Sequence, residues 1–225
     1  MFFLVDNKNK VIFGWSPKCG CSRAKKIFGF LQNNTIINDG HTHTGNDSQP
    51  LPNDIENYIT IIFSRNPYKK IISGFLDKYR KNGEFRHLWK HNKITFYTFV
   101  DELIKNDRNM IEPHHFEPQT GGHYNTNILR SKCLKIYDIE HIDYSFIENL
   151  YHKKIPYELL KFDLMGHERK KFNNTFEGPV YDLDMDEYYD YNVDIKYFYD
   201  EEIKNKVYNF YRNDFLFFNH HGIYY

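Results

Sequence analysis

Nothing constrains this chain more than the run Val11-Ile12-Phe13-Gly14-Trp15, its stop at Ser16-Pro17, and the pattern that resumes beyond with Ile27, Phe28 and Leu31 on one side. A short apolar run rich in β-formers, a small-residue loop and then helical periodicity read as strand, loop, helix. Such a turn aims the N–H groups of the first helical turn at one point, and the helix dipole adds partial positive charge there, so an anion is its natural occupant. Gly20 allows close backbone approach, Ser22 can cap the helix and donate its hydroxyl, and Lys18 and Lys25 bring full charges. No acidic residue occurs from Asn7 to Asn38, whereas Lys8, Lys10, Lys18, Arg23, Lys25 and Lys26 are basic. The stretch predicts a phosphate- or sulfate-type site, against the plainer alternative of a strand-to-helix turn with solvated lysines. It is not a Walker loop, because the G-x-x-x-x-G-K-[ST] spacing is absent.

A second unit of the same kind follows. Tyr58-Ile59-Thr60-Ile61-Ile62-Phe63-Ser64 is a continuous β-branched run suited to a central parallel strand covered on both faces. Arg65-Asn66-Pro67-Tyr68 breaks it, Pro67 stands where a helix can start, and Ile71, Ile72, Phe75, Leu76 and Tyr79 repeat at helical spacing. Arg65 falls at the carboxyl end of the strand, the edge where open parallel sheets bind ligands, and Ser73 lies on the helix face that can look back at it. The expected fold is α/β, a central parallel sheet flanked by helices.

Between these units, residues Asn33 to Asn57 are polar, with one short strand expected near Thr35-Ile36-Ile37. Within them His41 and His43 share a face if the backbone is extended. No third ligand stands nearby, so a catalytic base is a better use than a metal pair, with polar loop histidines as the plain alternative.

Pro17-Lys18-x-x-Cys21-Ser22-x-x-Lys25 followed by Arg65-Asn66-Pro67-Tyr68-x-x-x-x-Ser73-Gly74-Phe75 resembles the two cofactor loops of the carbohydrate sulfotransferases, the Golgi-type family that uses 3′-phosphoadenosine 5′-phosphosulfate. The resemblance implies a P-loop-NTPase-like sheet in one domain over residues 1–225. It implies that Pro17, Lys18, Cys19, Gly20, Cys21, Ser22, Arg23 and Lys25 hold the 5′-phosphosulfate, and that Arg65 and Ser73 hold the 3′-phosphate. Heparan sulfate 2-O-sulfotransferases are similar in carrying a His-x-His about this far before the arginine and using it as base, which implies His43, with His41 beside it. Ile111 to Gly122 cannot be regular structure. Its His114-His115-Phe116-Glu117-Pro118-Gln119 region is similar to a His-x-x-x-Pro-Gln segment lining the family's acceptor cleft, so His114 and His115 become candidate substrate-binding residues and rivals for the base. The implied reaction gives a sulfated acceptor and 3′-phosphoadenosine 5′-phosphate, with Lys18 stabilising the leaving oxygen and no metal required. The acceptor is expected to be a glycan or a small hydroxylated molecule; a tyrosyl peptide, or an inactive nucleotide- or glycan-binding module, are the alternatives. A nucleotide kinase is disfavoured, since no Mg²⁺-binding acid is evident.

Further along, Thr95 to Lys105 reads as a capped amphipathic helix, Leu134 to Glu140 as another strand with a helix after it, and Asp200 to Phe217 as a closing helix. Asn82 to Lys93 reads as a surface excursion and His167 to Val193 as irregular. Lys plus Arg and Asp plus Glu both number 30, so no net field points to nucleic acid or an acidic membrane. Ten acids against the single Lys196 between Glu177 and Glu202 read as a solvated face. Three cysteines make no disulfide framework, and no apolar run approaches the ~18 residues needed to span a bilayer. With no room for a signal segment before Asp6, the expectation is a soluble, cytoplasmic chain.

Overall fold

The apolar runs around Val11 and Ile59 become the two middle strands of one sheet. A computed structural model describes residues 1–33, 48–106, 108–156, 159 and 172–225. Strand β2, Val11–Trp15, is buried at every position, and β3, Ile59–Ser64, at every position but its first. Strands covered on both faces have no polar side to alternate, hence the continuous Val, Ile and Phe. β2 and β3 are parallel with Val11 opposite Ile59, and β3 is parallel to β4, Cys133–Asp138, with Ser64 opposite Asp138. β1, Phe2–Asp6, joins antiparallel to β2, giving the order β1-β2-β3-β4. This is the α/β architecture expected, with one edge strand that was not. A run of five residues is too short to show a period. Its turn depends on Asp6, whose carboxylate accepts the N–H groups of Lys8 and Asn9, the local bonding that makes Asp a turn former.

Contacts gather the chain into two compact units, Met1–Arg65 with Gln119–Glu168 and Phe218–Tyr224, and Asn66–Pro118 with Arg169–Phe217 and Tyr225. The first holds the sheet, with α1, Cys21–Asn33, packed on β1 and β2. Phe13 stands edge-on between Phe28 of α1 and Phe63 of β3, at centroid distances of 5.3 and 5.5 Å. Val11, Ile27, Leu31 and Ile61 complete that cluster. Burial of each such side chain contributes about 1.5–3 kcal/mol, so this face anchors α1 and fixes its first turn at the end of β2.

The second unit is helical. α2, Pro67–Lys78, starts where Asn66 accepts the Tyr68 N–H with Pro67 in the first turn, and α3, Phe96–Lys105, starts where Thr95 accepts the Thr98 N–H. α4, Ser145–Tyr151, belongs to the first unit and follows β4 as expected. The core of the second unit is aromatic: Phe75, Tyr79, Phe96, Phe99, Phe116 and Tyr211 all lie in it. Two expectations change here. Phe85 and Trp89 of the supposed surface excursion pack against this core, because an apolar ring inside a charged stretch still gains by burial. The stretch expected to be irregular carries, in its described part, paired two-residue strands β5, Thr175–Phe176, and β6, Asn192–Val193, with α5, Met185–Tyr188, between them. The closing helix is two, α6, Glu201–Phe210, and α7, Arg212–His220, parted at Tyr211, whose hydroxyl donates to the Phe116 carbonyl at 2.6 Å.

Candidate anion-binding site

β2 ends at Trp15, and the next five residues turn the chain into α1. The Cys19 N–H donates to the Ser16 carbonyl at 3.1 Å, closing a tight turn. Lys18 (φ 64°) and Gly20 (φ 71°) both adopt left-handed backbone. Glycine does so freely, whereas Lys18 carries a Cβ penalty of about 1–2 kcal/mol, the kind of strain that gathers in binding loops. Any Cβ on Gly20 would also stand 3.3 Å from Ile139 Cγ2. The first backbone bond of α1 runs from the Ala24 N–H to the Gly20 carbonyl, at 2.9 Å. Ser22 is therefore inside the first turn, not at the cap as expected, and Gly20 holds the capping position. The N–H groups of Cys21, Ser22 and Arg23 precede that first bond, so they belong to the polarised helix end.

Since β2 and β3 are parallel, β3 ends at the same edge. Arg65 follows it directly and turns its guanidinium toward the first loop, Nη1 donating to the Lys18 carbonyl at 3.0 Å. Gln119 joins the two loops from a buried position. Its side-chain oxygen accepts the Arg65 N–H and the Cys19 thiol, both at 3.1 Å, while its amide nitrogen donates to the Arg65 carbonyl at 2.8 Å. Burial disfavours the Arg65 charge, and the field of Cys19, Glu140 and Asp138 opposes that effect. Among the described residues no carboxylate pairs with Arg65, and its Nε is buried without a partner. Ser16 Oγ and Trp15 Nε1 are also buried and unpartnered among the described residues. A desolvated guanidinium left so is costly, and an anion that filled its remaining donors would offset the cost.

The other basic residues of the first loop are placed differently. Lys25 is buried with its ammonium 4.2 Å above the Trp15 ring, a cation–π contact. Arg23 lies close enough to Tyr144 to draw down a hydroxyl pKa that burial raises. Cys21 and Ser22 remain half-buried at the helix start, and Pro17 is buried behind them. His41 and His43 lie outside the described residues.

Ser73, His114 and His115 belong to the second unit. Ser73 is half-buried on α2. His114 is exposed. His115 Nδ1 is 2.6 Å from Glu112 Oε2, and the two oxygens of that carboxylate also accept the N–H groups of His114 and His115. Burial pushes the Glu112 pKa up, but the His115 ring and the two backbone N–H groups outweigh it and hold the carboxyl below its ordinary value. Glu112 is itself held by its N–H, which donates to the Tyr79 hydroxyl at 3.0 Å. Burial keeps that hydroxyl protonated, its pKa pushed up to about 12. A histidine oriented by a carboxylate through Nδ1 is an arrangement that can serve as a base at Nε2. Neither Glu112 nor the structural duty of Gln119 was anticipated. Glu112 had a local signal, its three-residue spacing to His115, and Gln119 was visible only as part of the Pro-Gln segment.

The family model described as "Sulfotransferase family" matches residues 2–221, nearly the whole chain. Mouse (Mus musculus) carbohydrate sulfotransferase 8 is 24% identical over 95 residues, 37% of this chain and 23% of the relative. Human (Homo sapiens) carbohydrate sulfotransferase 8 is likewise 24% identical over 95 residues, covering 37% of this chain and 22% of the relative. The match thus spans less than a quarter of either relative's length. No solved structure matches the chain. Among the described residues no helix is long and apolar enough to cross a membrane, and no group of three or more His, Cys, Asp or Glu is placed to hold a metal ion.

Proposed function

The chain belongs to the sulfotransferase family, and from that premise we propose that it transfers a sulfuryl group from 3′-phosphoadenosine 5′-phosphosulfate to a hydroxyl of a carbohydrate acceptor. The observation that carries the nucleotide half of this reading is Arg65, whose Nε is buried without a partner among the described residues and whose Nη1 is bonded to the Lys18 carbonyl at the edge where α1 begins. Arginine presents its donors as a planar fork that suits two oxygens of one phosphate. The carbohydrate half is supported by the partial likeness to carbohydrate sulfotransferase 8; a small hydroxylated metabolite or a tyrosyl peptide is the alternative acceptor.

When bound, the donor supplies an activated sulfuryl group and, in its 3′-phosphate, a second anionic handle. The N–H groups of Cys21 to Arg23 and the Ser22 hydroxyl would hold the 5′ end against the start of α1. Lys18 would neutralise charge on the oxygen that leaves, and Arg65 would hold the 3′-phosphate, with Ser73 assigned to the same group by the motif alone. Transfer in line requires positioning and charge stabilisation more than covalent work by the protein. Removal of the acceptor proton falls to a neutral histidine, His43 with His41 beside it by resemblance, or His115 oriented by Glu112. His114 and His115 are assigned to the acceptor. A cytoplasmic placement is part of the proposal, and the single family match, over residues 2–221 and through both units, supports 1–225 as one functional domain.

Calorimetric titration with adenosine 3′,5′-bisphosphate, followed by labelled-sulfate transfer to a glycan panel, tests the reading. Binding with transfer to a glycan is expected. Absence of bisphosphate binding overturns the proposal, and binding without transfer to any acceptor moves the protein to a nucleotide-binding module of the same fold.

A further inference from the structure

We propose that Gln119 is a positioning residue for the donor site, a clamp that sets the Arg65 loop against the Lys18 loop; this rests on the nucleotide reading above. Gln119 stands 54 residues from Arg65 and 100 from Cys19 in the chain, yet bonds both. Its amide reads the Arg65 peptide twice, accepting from its N–H and donating to its carbonyl. This continues the pairing of a β-ladder one residue past the end of β3 at Ser64. The same oxygen takes the Cys19 thiol, so both lone pairs of one carbonyl are committed, one to each loop.

The chemistry is specific to a primary amide. A carboxylate would lose the donor to the Arg65 carbonyl, an aliphatic chain would lose every bond, and asparagine is one methylene too short to reach both loops from the same backbone. Buried groups left without partners in this way are destabilising. Their loss lets Arg65 and Lys18 drift out of register, and the clamp therefore acts on donor affinity through Arg65 without touching the donor.

Two measurements on Gln119→Met, a substitution of similar length, test this. In the first, adenosine 3′,5′-bisphosphate binding should fall at least tenfold in the wild-type background and less than twofold in an Arg65→Ala background. Equal losses in the two backgrounds would mean general destabilisation and would overturn the proposal. In the second, the rate of alkylation of each cysteine is followed by peptide mass spectrometry. Cys19, fully buried in the intact loop, should react at least fivefold faster while Cys133 is unchanged, and an unchanged Cys19 rate also overturns the clamp. If the wild-type protein binds no bisphosphate, the nucleotide reading fails, and the alkylation result alone decides whether Gln119 holds the loops. Should Gln119→Met not fold, Gln119→Glu keeps the shape and the acceptor and removes only the bond to the Arg65 carbonyl. Only the bisphosphate comparison in the two backgrounds then applies to it, with the same outcomes, because its carboxylate still accepts from the Cys19 thiol.

Discussion

Removing Lys18 and removing Arg65 should have separable effects, because one is assigned to charge that develops during transfer and the other to a charge present throughout. Lys18→Ala should lower kcat by about 10²–10³, the usual consequence of losing one group that stabilises developing charge, with bisphosphate affinity changed only a few-fold. An unchanged kcat removes Lys18 from the chemistry. Arg65→Ala should weaken adenosine 3′,5′-bisphosphate by roughly tenfold to a hundredfold, from the ~1.5–3 kcal/mol of a hydrogen bond to a charged group. Binding of a 5′-phosphate analogue without the 3′-phosphate should be nearly untouched, and equal losses for both refute the assignment. Glu112 gives a pH prediction. Its carboxyl is held below the ordinary value of 4.5 in the fold, so its contribution to stability is full above about that pH and is lost as pH falls through the lower, folded value. Thermal melts from pH 5 down to pH 3 should therefore show the wild type losing more stability than Glu112→Gln. Parallel curves would deny the carboxylate its bond to His115.

α2 shows two local preferences in opposition. Glycine inside a helix is unfavourable by up to ~1 kcal/mol relative to alanine, so Gly74→Ala would stabilise an exposed helix. A Cβ at Gly74, however, would stand 2.4 Å from Phe116 Cε1 and 2.9 Å from Cζ, inside a core of interlocked rings that cannot yield cheaply. Overpacking of this kind costs about 1–3 kcal/mol, so the clash wins and the melting temperature should fall by several degrees; a rise would show that Phe116 can move aside. The starts of α2 and α3 were readable because a cap is a contract between residues two or three apart, Asn66 with Tyr68 and Thr95 with Thr98. The strap formed by Lys70, whose ammonium donates to the carbonyls of His115 and Glu117 at 3.1 and 2.8 Å, was not readable. A lysine on a helix looks the same in sequence whether it is solvated or, as here, wholly buried.

For the molecule as a whole, kinetics decides which histidine takes the acceptor proton in the proposed reaction. His43→Ala should abolish transfer while bisphosphate binding persists, and full retention of activity would pass the role to His41, His114 or His115, whose own alanine variants should then lose transfer. Much of this protein follows from neighbours in the chain: the buried strands from continuous β-branched runs, the helix starts from their caps, and the anion-seeking turn from small residues between Trp15 and α1. Such features depend on periodicity and short-range hydrogen bonding, which order in sequence records directly. Packing alone settled the rest. β1 exists because a neighbouring strand supplied its hydrogen bonds, Tyr211 between the two closing helices gives its hydroxyl to the distant Phe116 carbonyl, and Arg65, Lys18, Cys19 and Gln119 share one knot of bonds. Contacts between residues 47 to 100 positions apart leave no trace in local pattern. They are fixed by how the sheet aligns its strand ends, and a single sequence carries no separate mark of that alignment.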